Sequence, residues 1–281
     1  MFNNYSLYKI MDNEGFDFVP SEYSRFKFGD GKIAKKYGIE LASGFIKSIF
    51  NDNYNGEQIV VISSPYSFIP TATFELKNYF VFELNHWLAS HNFPVIQETK
   101  IQRTITYKDD YGELNAEERL QLIETDVFYV DSTFIKNKTL IFLDDIRITG
   151  SHEKMILKMM SDLKIENDFY LVYFAELVNH KIHPRIENLL NYSFVKSIFD
   201  LDNIINKKQF KINTRVVKFI LISKIDSINI FLQNKEAEFI ELLYNMAIGN
   251  NYHYIDEYKT AINFLRQTIY NKQFKKIEHG N

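Results

Sequence analysis

Apolar residues recur at Ile33, Tyr37, Leu41, Phe45 and Ile49, a four-residue spacing that lines one face of a helix over residues 31–50. A short β-branched run at 58–63 predicts a strand, 64–70 with its two prolines a turn, and 71–90 a long helix. Residues 95–99 are the next strand candidate. From 100 to 138 the chain turns polar and charged without a clean period. That is too long for a simple connection inside a compact domain, so it reads as a lid or hood. An apolar run at 139–143, a helix at 151–163, a strand at 168–175, a short helix at 184–192 and a strand at 194–198 then continue a βαβ alternation.

Strands alternating with helices imply a mostly parallel, doubly wound α/β sheet. From about residue 201 the strand signals fade, and helices are predicted at 214–223, 235–248 and 254–270. The expected organisation is therefore an α/β core over 1–200, carrying the hood at 100–138, and a helical C-terminal appendage over 201–281.

With 281 residues and a net charge of −3, the chain has room for a large core and carries no overall basic field. Nucleic-acid binding through bulk electrostatics is disfavoured. Cysteine is absent, which removes disulfides, thiolate nucleophiles and cysteine-bearing zinc sites and fits a reducing cytoplasm. The first residues lack the basic and apolar pattern of a secretory signal, and no apolar run approaches the roughly 20 residues of a membrane helix. A soluble, cytoplasmic protein is expected.

The stretch 139–152 carries the chemistry. Thr139 and four apolar residues lead into Asp144 and Asp145, then Ile146, Arg147 and Ile148, then Thr149, Gly150, Ser151 and His152 at a helix start. Ligands of open α/β sheets collect beyond the carboxyl ends of the strands. The small residues let a backbone wrap an anion, and the free amides of the following helix point at the same spot. Carboxylates accept hydrogen bonds from sugar hydroxyls. In an extended strand the two acids would point to opposite faces, so both reach one ligand only if the chain leaves strand geometry there. The turn that follows is expected to allow this, with both acids near solvent.

In these residues the chain resembles the type I phosphoribosyltransferases, whose signature is a hydrophobic run, two acids, a hydrophobic, two variable residues and then Thr-Gly with small hydroxyl residues. The variant from Asp144 to Glu153 resembles the ComF-like branch found in bacterial tellurium-resistance gene clusters. It departs from the family at His152, where Thr or Ser is more usual. The resemblance implies phosphoribosyl diphosphate as donor, Mg²⁺ held through water by Asp144 and Asp145, and a nitrogen acceptor such as a nucleobase. It assigns Asp144 and Asp145 to catalysis, and the phosphate cradle to Arg147, Ile148, Thr149, Gly150, Ser151 and His152. Ser63, Ser64 and Tyr66 fall at the family's diphosphate loop, which here contains no Lys or Arg. Lys100 and Arg103, opening the hood, are the natural suppliers of positive charge, with Tyr107, Asp109, Tyr111 and Arg119 following. A non-catalytic sensor of phosphoribosyl ligands is the alternative, and a homo-oligomer is left open.

Other signals are weaker. His180 and His183 have a spacing that could suit a metal, but Pro184 disfavours helical geometry and no third ligand is near in sequence, so a surface pair is expected. His86 beside Trp87 reads as packing. No nucleophile-elbow pattern accompanies the serines, and no Gly-rich Lys loop marks a kinase-like phosphate binder.

Overall fold

A strand that is apolar at nearly every position needs cover on both faces, as Ile59–Ser63 and Phe169–Leu177 do, together with the first half of Thr139–Arg147. The computed structural model describes residues 2–50, 54–104, 127–179 and 181–278, without the side chains of 103, 104, 127 and 272–278. In chain order the first half contains β1 (Phe2–Ile10), α1 (Pro20–Lys27), α2 (Gly31–Phe45), β2 (Ile59–Ser63), α3 (Ala72–Ser90) and β3 (Gln97–Lys100). Next come β4 (Gln102–Thr104), β5 (Val127–Tyr129), α4 (Ser132–Ile135), β6 (Thr139–Arg147), α5 (Ser151–Asp162) and β7 (Phe169–Leu177). The remainder is helical: α6 (Ile186–Asn191), α7 (Asp202–Ile205), α8 (Thr214–Leu221), α9 (Ile225–Gln233), α10 (Ala237–Gly249) and α11 (Asp256–Glu278).

The main sheet has the order β1-β7-β6-β2-β3, and every neighbouring pair in it is parallel. This is the expected α/β sheet. One face, carrying Ile59, Val61, Ile141, Leu143, Val172 and Phe174, is packed by α1, α2 and α3. The other, carrying Val60, Ile62, Leu140, Phe142, Leu171 and Tyr173, is covered by α5 and by Ile101, Phe128 and Val130 at the base of the hood. The helical C-terminal region has a separate core, which also takes in Phe28 and Ile69. Among the described residues no helix is long and apolar enough to cross a membrane.

Several elements differ from the sequence reading. β1, an edge strand with alternating exposure, and α1, short and started by Pro20, carry too few apolar positions to stand out. The strand expected at 194–198 does not form. The Val195 amide instead donates to Ser24 Oγ at 3.2 Å, and Ser197 and Asp200 cap a 3₁₀ turn at Ile198–Leu201. Helix α9 was not expected, because Asp226, Ser227 and Asn229 interrupt its apolar pattern. In the hood, β4 and β5 pair as an antiparallel ribbon. Tyr107, Asp109, Tyr111 and Arg119 lie outside the described residues, as does His180.

Phe174 anchors the α1–α3 face. It is fully buried, stacks on Tyr37 with ring centroids 4.0 Å apart and meets Tyr8 and Phe18 edge-on. Phe174→Ala should lower stability by about 3–5 kcal/mol through cavity formation, measured by urea unfolding. A loss below about 1 kcal/mol, the cost of a milder trim such as Ile→Val, would show that the site collapses around the smaller side chain.

Candidate functional site

Strand β6 does not end at the acids. Its pairing with β7 continues through Asp144 opposite Tyr173, Ile146 opposite Ala175 and Arg147 opposite Glu176. Successive side chains of an extended strand alternate faces, so Asp144 points to the α5 side and Asp145 to the α1–α3 side. The expectation that both acids lie near solvent and reach one ligand is corrected accordingly.

Asp145 is 5% exposed. Its carboxylate accepts from Tyr23 Oη at 2.6 Å, from Thr73 Oγ1 at 3.1 Å and from the ammonium of Lys27. Tyr23 and Lys27 are four residues apart on α1 and so share a face. Thr73 comes from the first turn of α3. Burial alone would raise the pKa of Asp145, but the charge of Lys27 and these hydrogen bonds hold it well below the usual carboxylate range. Burial, reinforced by the charge of Asp145, pushes the Tyr23 hydroxyl well above its ordinary value. The cluster is closed: a buried acid with a cation and two hydroxyl donors.

Asp144 is half-buried on the other face. Its Oδ1 accepts the Asp145 amide at 2.9 Å, and its Oδ2 lies 2.7 Å from Nδ1 of His152. His152 therefore folds back onto the acid from the first turn of α5, its ring edge-on to Phe128 at 6.3 Å. A narrow cleft opens here, lined by Ile62, Phe142, Leu171 and Tyr173 of the sheet, Phe128 and Ile101 of the hood base, and Ser64, Pro65, Asp144 and His152. Tyr173 was not picked out by the sequence, where it is one aromatic in an apolar strand. Its hydroxyl is buried and has no hydrogen-bond partner among the described residues. Burial and the nearby Glu153 and Asp144 carboxylates raise its pKa.

The residues expected to form the cradle lie in the turn between β6 and α5. Gly150 has φ +70°, the left-handed conformation that favours glycine. Its carbonyl accepts the first bond of the helix, from the Lys154 amide at 3.0 Å. The amides of Ser151, His152 and Glu153 precede that bond and stand at the positive end of the helix. Thr149 Oγ1 and Ser151 Oγ lie 2.8 Å apart. Ile148 packs on the α1–α3 core. Arg147, grouped with the cradle by sequence, has its guanidinium engaged by Glu153 at 2.5 Å and Glu176 at 2.6 Å. Glu176 in turn accepts from Ser6 and Lys9 of β1. Arg147 thus ties α5, β7 and β1 together.

Ser63 is buried at the end of β2, paired with Leu143 and Lys100. Ser64 Oγ donates to the Leu143 carbonyl at 3.4 Å, so the loop after β2 runs beside the acid-bearing strand. Lys100 reaches this loop: its ammonium sits 4.4 Å above the Tyr66 ring and donates to the Tyr66 carbonyl at 3.4 Å. Arg103 stands in β4 opposite Phe128, and its side chain lies outside the described residues. His183 Nδ1 accepts the Arg185 amide at 3.1 Å. His86, read as a packing residue, is 82% exposed.

The parallel five-stranded sheet with helices on both faces and a helical C-terminal region is the fold of a phosphoribosyltransferase-type protein. The chain belongs to the ComF-like phosphoribosyltransferase family, whose model matches residues 1–265. It is similar in fold to a hypoxanthine phosphoribosyltransferase from Staphylococcus aureus, at 11% identity over 53% of this chain and 75% of that one, with a TM-score of 0.34. The enzyme of the same name from Trypanosoma cruzi aligns at 16% identity over 54% of this chain and 77% of its own, TM-score 0.30. Adenine phosphoribosyltransferase from Thermoanaerobacter pseudethanolicus aligns at 13% identity over 53% and 82%, TM-score 0.24. Among curated proteins no sequence matches.

Two stability outcomes follow from the geometry. Lys27→Met leaves Asp145 buried without its cation and should cost about 3–5 kcal/mol, while adding Asp145→Leu should recover most of that loss. Denaturant unfolding of the single and double variants measures both, and an unchanged Lys27→Met midpoint would contradict the closed cluster. Tyr173→Phe removes a hydroxyl that bonds none of the described residues, so thermal stability should not fall; a loss above about 1 kcal/mol, the net worth of one hydrogen bond, would reveal a partner.

Proposed function

We propose that the protein transfers the 5-phosphoribosyl group from phosphoribosyl diphosphate to a nitrogen acceptor, with a nucleobase as the family's usual choice. The observation that carries this reading is the position of Asp144, on the cleft face in the second half of β6, with the α5 amides on one side and the Ser64 loop on the other. The 5-phosphate would sit on the amides of Ser151, His152 and Glu153, with the Thr149 and Ser151 hydroxyls beside it. Asp144 would accept from a ribose hydroxyl. The Ser64 loop, with Lys100 behind Tyr66, would receive the diphosphate. Attack by the acceptor nitrogen at C1 would break the bond to the diphosphate oxygen through an oxocarbenium-like state. The chain would act by positioning and by stabilising the departing charge, with the hood excluding water.

Asp144 fits an outer contact to a hydrated Mg²⁺, an ion that keeps several waters and binds through one or two carboxylates plus substrate phosphates. Asp145, across the sheet and paired with Lys27, does not fit that role; we assign it to holding α1 and α3 against the strand. Bound Mg²⁺ would offset diphosphate charge. The link to tellurium-resistance clusters is supported by the motif variant from Asp144 to Glu153.

A non-catalytic sensor of phosphoribosyl ligands is the second reading. The withdrawal of Asp145 favours it, since one carboxylate then remains for the sugar, and so does a diphosphate loop without Lys or Arg. Diphosphate release from the donor with Mg²⁺ and a panel of bases separates the two: release supports transfer, and tight binding without release supports sensing. Single variants test the division of labour. Asp144→Asn should weaken donor binding by about 1.5–3 kcal/mol, the worth of a charged hydrogen bond, with little change in melting temperature. Asp145→Asn should lower the melting temperature first. Unchanged donor affinity in Asp144→Asn would remove the acid from the site.

A further inference from the structure

We propose that the C-terminal helical region is part of the donor site, because it fixes the loop after β2, and that Asn250 is its positioning residue. The proposal rests on the functional reading above, in which that loop receives the diphosphate.

Residues 64–70 are held from two sides. The first half faces the cleft, where Ser64 bonds the Leu143 carbonyl and Pro65 lines the wall. The second half is held by the helical region. Asn250 Oδ1 accepts the consecutive amides of Phe68 and Ile69, each at 3.0 Å. Thr214 Oγ1 donates to the Ile69 carbonyl at 2.9 Å and to the Pro70 carbonyl at 3.2 Å, and the Thr214 amide donates to the Pro70 carbonyl at 2.9 Å. The Ile69 side chain is fully buried in the C-terminal core. Phe68 packs against the end of α10, so close that a Cβ on Gly249 would fall 2.3 Å from its ring.

Asn250 is itself placed by α10, its amide donating to the Met246 carbonyl at 3.1 Å. One side-chain oxygen bridging two successive amides sets the course of the loop at that point. This matters because the loop carries no cationic side chain of its own. A loop that binds an anion through its backbone gains affinity by having its amides aimed before the ligand arrives. The helical region supplies that order from outside the α/β core.

A purely structural anchor would affect both phosphorylated ligands alike, or neither. A positioning residue acts on the diphosphate alone. The test is calorimetry of the full chain with Mg²⁺, titrating phosphoribosyl diphosphate and, separately, ribose 5-phosphate, with circular dichroism to verify folding. Asn250→Ala should weaken the diphosphate-bearing donor by about five- to tenfold, the worth of one to two hydrogen bonds, and leave ribose 5-phosphate within about twofold, less than one such bond. Thr214→Val, which acts from the other helix and keeps the side-chain shape, should show the same selective loss. Equal affinities in the unaltered protein and both variants, or equal losses for both ligands, overturn the proposal while the functional reading stands. Failure of the unaltered protein to bind either ligand overturns both.

Discussion

The ladder between β6 and β7 runs past Asp144 and Asp145 as far as Arg147, and a strand that stays extended must send adjacent side chains to opposite faces. The arrangement of the site depends on this. Asp145 is driven into the side packed by α1 and α3, where an unpaired carboxylate would be costly. Lys27, Tyr23 and Thr73 meet that demand together. Asp144 is left facing the cleft, where its Oδ2 meets the His152 ring. Two neighbouring acids thus have different surroundings: one joins helices to the sheet, the other faces the cleft.

The same ladder places Arg147 opposite Glu176, and the guanidinium extends to Glu153 in the first turn of α5. The turn carrying Gly150 is therefore tied at its base by two ion pairs, which orient the helix amides. On the neighbouring strand, the loop after β2 is tied at its far end by Asn250 and Thr214. Both segments are held by contacts outside themselves. Rigid support for backbone amides is what a site poor in loop cations requires.

Much of the architecture was legible because buried parallel strands are short apolar runs and the core helices repeat every four residues; the runs at 59–63 and 139–143 and the Ile33 to Ile49 spacing are such signals. The turn into α5 was legible because Thr149, Gly150 and Ser151 are the residues a turn into a helix needs. The fate of Asp145 was not, since its cation stands 118 positions earlier, in a short helix with no pattern of its own. Tyr173 looks in sequence like any aromatic of a buried strand. Nor could the sequence place Asn250 against a loop 181 positions away. The strand expected at 194–198 failed for a related reason: its apolar residues serve the helical core, and Val195 bonds to α1.

The central claim is that the two acids serve opposite faces of one strand. A crystal structure of the complex with ribose 5-phosphate or the intact donor and Mg²⁺ tests it most directly. The account requires the phosphate on the amides of Ser151 to Glu153 and the sugar beside Asp144, with Asp145 still bonded to Lys27, Tyr23 and Thr73. A sugar hydroxyl or metal bound to Asp145, with Lys27 displaced from it, would contradict the account.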